Sequence, residues 1–123
     1  MLKMMLIAGC GGFVGTALRF LTAKLCAHLQ LGGFPLGTFA VNVVGSLIIG
    51  ALLGAAEQRG VLSPAMSALL VTGFCGGFTT FSTFADDIFL LVNKGAWGMF
   101  LLYALLSLVV GVAMVALGRW MVR

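Results

Sequence analysis

The residues able to do chemistry in this chain are mostly neutral. Thr38, Asn42, Ser46, Ser82, Thr83, Tyr103 and Ser107 offer hydroxyl or amide donors, and Phe78, Phe81 and Phe84 stand among them. The Asn42 amide alone carries two N–H donors. An aromatic ring is negative on its face and positive at its edge. Ring edges together with neutral donors suit a small, bare anion. They replace part of its lost hydration without a fixed positive charge that would trap it, and conduction needs binding that is favourable yet escapable. Backbone carbonyls freed at a helix break have the opposite preference. They suit a cation acting as a plug or as a bridge between subunits. Enzyme chemistry finds little here: one histidine, no Cys/His cluster for zinc and no nucleophile with a plausible base.

These residues must be held by membrane helices. The chain has 123 residues, 62% hydrophobic and 8% charged, where a soluble domain carries about 25% charged residues. A spanning helix needs about 20 apolar residues. The pattern predicts an all-α, multi-pass integral membrane protein embedded in a lipid bilayer. Its single domain, 1–123, holds four spans at about 4–29, 36–56, 64–92 and 97–121. No basic run exists, which argues against nucleic acid as a partner. Leu6-Ile7-Ala8-Gly9-Cys10 has the look of a lipoprotein cleavage box. The apolar run before Cys10 is short for a signal core of about 7–15 residues, so the segment is taken as an uncleaved first helix. Gly9-Cys10-Gly11-Gly12-Phe13-Val14-Gly15 superficially resembles a phosphate loop, but in a membrane helix this is a packing pattern. Cys10, Cys26 and Cys75 follow no paired spacing and are expected to be small buried hydrophobes.

The organising stretch is Gly73-Phe74-Cys75-Gly76-Gly77-Phe78-Thr79-Thr80-Phe81-Ser82-Thr83-Phe84. Glycine weakens a helix, and hydroxyl residues compete for its backbone bonds. Broken backbone at membrane depth is tolerated only where protein or a water-filled path covers it. The third span is therefore expected to break at Gly76–Thr80. On the second span, residues four apart read Thr38, Asn42, Ser46, Gly50, Gly54, and such residues share one helix face. On the fourth they read Tyr103, Ser107, Gly111. Each stripe is either a small-residue packing face or the lining of a polar path. Arg19 in the first span either snorkels to the interface with Lys24 or faces a polar vestibule. Asp86 and Asp87 form an interface or vestibule pair. Ser63-Pro64 has the form of a helix start.

Four spans put Lys3, Arg59, Arg119 and Arg123 on one side of the membrane. Lys24 and Lys94 fall on the other, two charges, or three where Arg19 is counted with them. Cytoplasmic loops normally carry a clear Lys/Arg excess. This small bias allows insertion both ways, and four short helices are few to enclose an ion path. Both point to an antiparallel, dual-topology homodimer.

The glycine–threonine–phenylalanine stretch resembles the third-helix signature of the Fluc/CrcB fluoride channels. Gly37-Thr38-Phe39-Ala40-Val41-Asn42-Val43-Val44-Gly45-Ser46 is similar to the second-helix signature, and Gly11-Gly12-Phe13-Val14-Gly15-Thr16-Ala17-Leu18-Arg19 to the first. The similarity spans essentially the whole chain. It implies an antiparallel homodimer with two pores in a prokaryotic inner membrane, exporting fluoride passively. It implies Phe81 and Phe84 as pore phenylalanines, Asn42 as the pore asparagine, and Ser82, Tyr103, Ser107 and Thr38 along the polar track. It also implies a central sodium ion (Na+), structural or activating, held by the backbone carbonyls of Gly76 and Thr79. Arg19 falls at the vestibule, and Asp87 at a position associated with an acidic side chain facing the pathway. Gly111 stands where a further hydroxyl would have extended the track.

Two rivals stand beside this reading. A small proton-coupled multidrug exporter would share the four-helix, dual-topology design but needs a membrane-embedded carboxylate. The first helix here has no acid, and Glu57 sits at a helix end. A structural membrane adaptor would leave the hydroxyl and aromatic stripe unexplained.

Overall fold

The computed structural model describes residues 1–29 and 32–123. Gln30 and Leu31, in the turn expected between the first two spans, lie outside the described residues. Among the described residues, four helical spans are long and apolar enough to cross a membrane: Leu2–Cys26, Leu36–Arg59, Pro64–Asn93 and Trp97–Met121. The first two are the continuous helices α1 and α2. The third is composite. It comprises α3 (Pro64–Ser67), a π-helical stretch Ala68–Cys75, α4 (Gly76–Phe78) and, after a non-helical turn, α5 (Ser82–Asn93). The fourth is α6 (Trp97–Met121).

Local chemistry sets the boundaries. Ser63 caps α3, its Oγ accepting from the Met66 N–H at 3.1 Å, with Pro64 in the first turn. Gly60 ends α2 in the left-handed region, at φ 61°, where a side chain would be strained. His28 lies beyond the end of α1 and is exposed.

Helices in lipid gain little from burying apolar surface against each other, so close backbone approach at small residues holds them together. Two seams do this work. α1 packs on the first half of the third span, and α2 packs on α6. A Cβ on Gly15 would run into the Phe74 carbonyl and come within 2.9 Å of the Phe78 N, and one on Gly77 would lie 2.7 Å from the Gly12 carbonyl. In the other seam, a Cβ on Gly118 would strike the Leu47 carbonyl and lie 2.6 Å from the Ala51 N. An Arg119–Glu57 ion pair at 2.6 Å ties the exposed ends of α6 and α2.

The third span does break within the expected stretch, but glycine is not the cause. Gly76 and Gly77 are helical, and the chain leaves the helix at Thr79 (φ −89°, ψ 161°). Gly73 and Gly77 instead supply the flat surface that α1 lies against. Of the cysteines, Cys75 is buried, whereas Cys10 is exposed on α1 and Cys26 half-buried, so the expectation of three buried hydrophobes holds for Cys75 alone within the protomer.

Candidate functional site

The break at Thr79–Phe81 strips backbone groups of their helical partners, and in hydrocarbon each unpaired group costs several kcal/mol. Side chains from two neighbouring helices and from the break itself meet that demand. Asn42 of α2 forms a closed pair with one peptide residue: its Nδ2 donates to the Thr80 carbonyl at 3.0 Å, and its Oδ1 accepts from the Thr80 N–H at 2.8 Å. The pair is complementary in one amide orientation alone. Arg19 of α1 donates its Nε to the Gly77 carbonyl at 2.9 Å. Within the break, the Cys75 carbonyl accepts from both the Thr79 N–H (3.0 Å) and the Thr79 hydroxyl (2.7 Å). Thr80 then caps the next helix, its Oγ1 accepting from the Thr83 N–H at 3.2 Å.

A groove of about 420 Å³ lies against this turn, lined by Asn42, Ser46, Thr79, Phe81, Phe84 and Ser107 among others. None of its lining residues is charged. Ser46 on its wall donates to the Asn42 carbonyl at 2.6 Å, one turn back along α2. The Ser107 hydroxyl is buried and has no hydrogen-bond partner among the described residues. Phe81 and Phe84 are neighbours, with ring centroids 6.1 Å apart and planes tilted by 48°. Phe81 is 79% exposed in the single protomer, and Phe84 is half-buried.

A second cavity, of about 410 Å³, opens between the end of α1 and the start of α2, with Thr38 and Asp87 on its wall. Tyr103 links the two. It is wholly buried, its ring sits 5.1 Å from Phe84, and its hydroxyl donates to Asp87 Oδ2 at 2.9 Å.

The expected site residues thus fall into groups. Asn42, Thr79, Phe81, Phe84 and Ser107 meet around the first groove. Thr38 and Tyr103 gather about Asp87. Ser82 is exposed in the first turn of α5 and does not line the groove. Gly76 also lies outside the groove, on an open face: a Cβ there would come no nearer than 4.0 Å to the Val71 carbonyl. Its carbonyl has lost its helical donor, because the Thr80 N–H is turned to Asn42. Arg19, expected at an interface or vestibule, reaches the break itself. Thr80, which the sequence reading places at the end of the break but gives no role of its own, is the most heavily engaged residue of the site. Its backbone partners carry no side-chain signature, so only its hydroxyl, three residues before the Thr83 N–H, could have marked it as a cap.

The family described as CrcB-like protein, Camphor Resistance (CrcB), matches residues 6–119. A relative from Methylobacillus flagellatus, named fluoride-specific ion channel FluC, is 43% identical, with 100% of this chain and 96% of that protein covered. A protein of the same name from Agrobacterium fabrum is 44% identical, covering 97% of this chain and 98% of its own length. One from Azobacteroides pseudotrichonymphae is 39% identical over 96% and 94%. With its four spans, its interrupted third helix and a match running from the first helix nearly to the end of the last, this multi-pass membrane protein belongs to the CrcB family.

Proposed function

We propose that the protein is a fluoride channel, conducting fluoride passively through the groove beside the break. The observation that carries this reading is the character of the groove wall. Phe81 and Phe84 stand next to the Asn42, Thr79 and Ser107 side chains, with no charge among the lining residues. Fluoride holds its hydration tightly, so a path through oil must return part of that energy without binding the ion for good. Aromatic edges and neutral donors offer many weak, favourable contacts. A buried Ser107 hydroxyl retains a donor for such a contact. Tyr103 and Asp87 carry the polar surface on toward the second cavity. The names of the relatives support fluoride as the ion.

The working unit is an antiparallel homodimer. The exposed Phe81 ring and the open side of the groove support this, since a lone protomer leaves the path unwalled. Gly76, on an open face of the protomer, presents a carbonyl that has lost its helical donor. Sodium fits here as a shared ion. One protomer brings only the Gly76 and Thr79 carbonyls, and a second copy doubles that number. When bound, the cation would offset the negative ends of carbonyls gathered at the interface, and this chain's part is to keep those oxygens out of helical bonding.

The test is ion release from liposomes containing the purified protein. Fluoride leaves rapidly and chloride hardly at all. Comparable chloride release, or fluoride release that depends on a proton gradient, would return the site to the exporter class.

A further inference from the structure

We infer that Arg19 is a positioning residue of the break, acting through its Nε–H rather than through its charge. Three observations converge. First, Arg19 continues a stripe on α1 at intervals of four: Gly11, Gly15, Arg19. Where the third span is helical, the stripe is glycine. Gly11 lies on the backbone of Leu69 and Phe74, and Gly15 on that of Phe74 and Phe78. Where the helix ends, the stripe becomes a side chain with a donor. Second, that donor meets the Gly77 carbonyl at 2.9 Å. In an unbroken helix the N–H of Phe81 would take this carbonyl, and the turn at Thr79 carries that N–H away. Third, the opposite wall is built the same way. On α2, Asn42 holds the Thr80 peptide and Gly45 abuts Thr79. The non-helical turn is thus clamped from two helices, by Arg19 on its carbonyl side and by Asn42 on the following residue. Phe81 follows directly after the clamped segment, so the clamp sets where its ring stands.

Side-chain geometry separates this role from attraction of anions. A glutamine Nε2 sits the same number of bonds from its Cα as an arginine Nε. Arg19→Gln therefore keeps the donor and removes the charge. Arg19→Lys keeps the charge and moves the donor one bond outward. Arg19→Met keeps the bulk and removes both.

The experiment has two arms, both on the full chain in liposomes: fluoride release at low and high salt, and backbone hydrogen exchange over Thr80–Ser82. The flux arm rests on the channel reading, and the exchange arm does not. Arg19→Gln is expected to keep most of the flux and the exchange protection. Arg19→Met is expected to lower both by about tenfold or more, the scale of one unpaired, half-buried carbonyl. The loss should not depend on salt, because a direct hydrogen bond is not screened as a distant charge is. The inference is overturned if Arg19→Lys conducts normally while Arg19→Gln fails in a salt-dependent way, or if Arg19→Met exchanges like the parent protein. Should Arg19→Met not fold, the contrast of Gln with Lys decides alone. A parent protein that passes no fluoride would instead sink the channel reading and leave the exchange arm to judge Arg19.

Discussion

The two halves of α2 make an instructive pair. They share one helix face and one four-residue rhythm, yet they do opposite things. The half at Asn42 and Ser46 faces a broken helix and carries hydrogen-bonding groups. The half at Gly50 and Gly54 faces the unbroken α6 and carries none, only room for its backbone. On this face Asn42 stands where a neighbour's backbone lacks helical partners, and Gly50 and Gly54 stand where the neighbouring helix is unbroken. A stripe read from spacing alone mixes the two, which is why packing face and polar path were both open readings for α2. The packing face holds for the half at Gly50 and Gly54, and the half at Asn42 and Ser46 lines the uncharged groove.

Substitutions can break or sharpen that contrast. The largest effect is expected from Asn42→Ala. It strands the N–H and the carbonyl of Thr80, at about 1–3 kcal/mol for each buried group, and it removes a groove donor. Fluoride release should fall by about 100-fold, the equivalent of two factors of ~1.4 kcal/mol, with lowered resistance to thermal unfolding in detergent. Near-normal release would mean that the break holds without α2. Phe81→Ile and Phe84→Ile come next. Each should slow release by about tenfold or more while elution as an oligomer stays unchanged, because both rings line the groove and neither is fully buried in the protomer. Normal flux in both would remove the ring-edge account.

Gly118→Ala addresses the other half. Its added carbon meets the Leu47 carbonyl and the Ala51 N, so stability should drop by about 1–3 kcal/mol, as overpacking does. Flux per folded channel should hold, and a selective loss of flux at full stability would show that the seam also shapes the path. Ser46→Ala should do least, since its hydroxyl bonds to a carbonyl of its own helix. A loss within about threefold, well under 1.4 kcal/mol, is expected. A loss exceeding that of Asn42→Ala would move the centre of the site one turn along α2.

Much of this was legible beforehand, for identifiable reasons. Long apolar runs separated by Gly60, Ser63-Pro64 and Lys94-Gly95 mark the spans, because helix length and turn chemistry are local properties. The interruption of the third span was legible from Gly76, Gly77, Thr79 and Thr80 crowded together. Its mechanism was not. Glycine has two uses, loosening a helix and letting another approach, and nothing local tells them apart. Only the position of α1 shows that Gly77 serves the second. The partner of Arg19 lies 58 residues away, and the partners of Asn42 are the backbone N–H and carbonyl of Thr80. Neither spacing nor composition registers a bond of that kind. The π-helical winding of Ala68–Cys75 left no mark in the apolar pattern either.

That winding has a practical consequence for anyone mapping the third span. Its hydrogen bonds reach five residues rather than four, so each π turn takes in about one residue more than an α turn, worth roughly 100° of azimuth. A probe series counted backward from Gly77 on an ideal wheel would lose phase before reaching Ser67. Labels meant for lipid at Ala65 or Met66 would then be credited to the wrong side of the bundle, and periodicity in such a scan has to be fitted separately on either side of the stretch Ala68–Cys75.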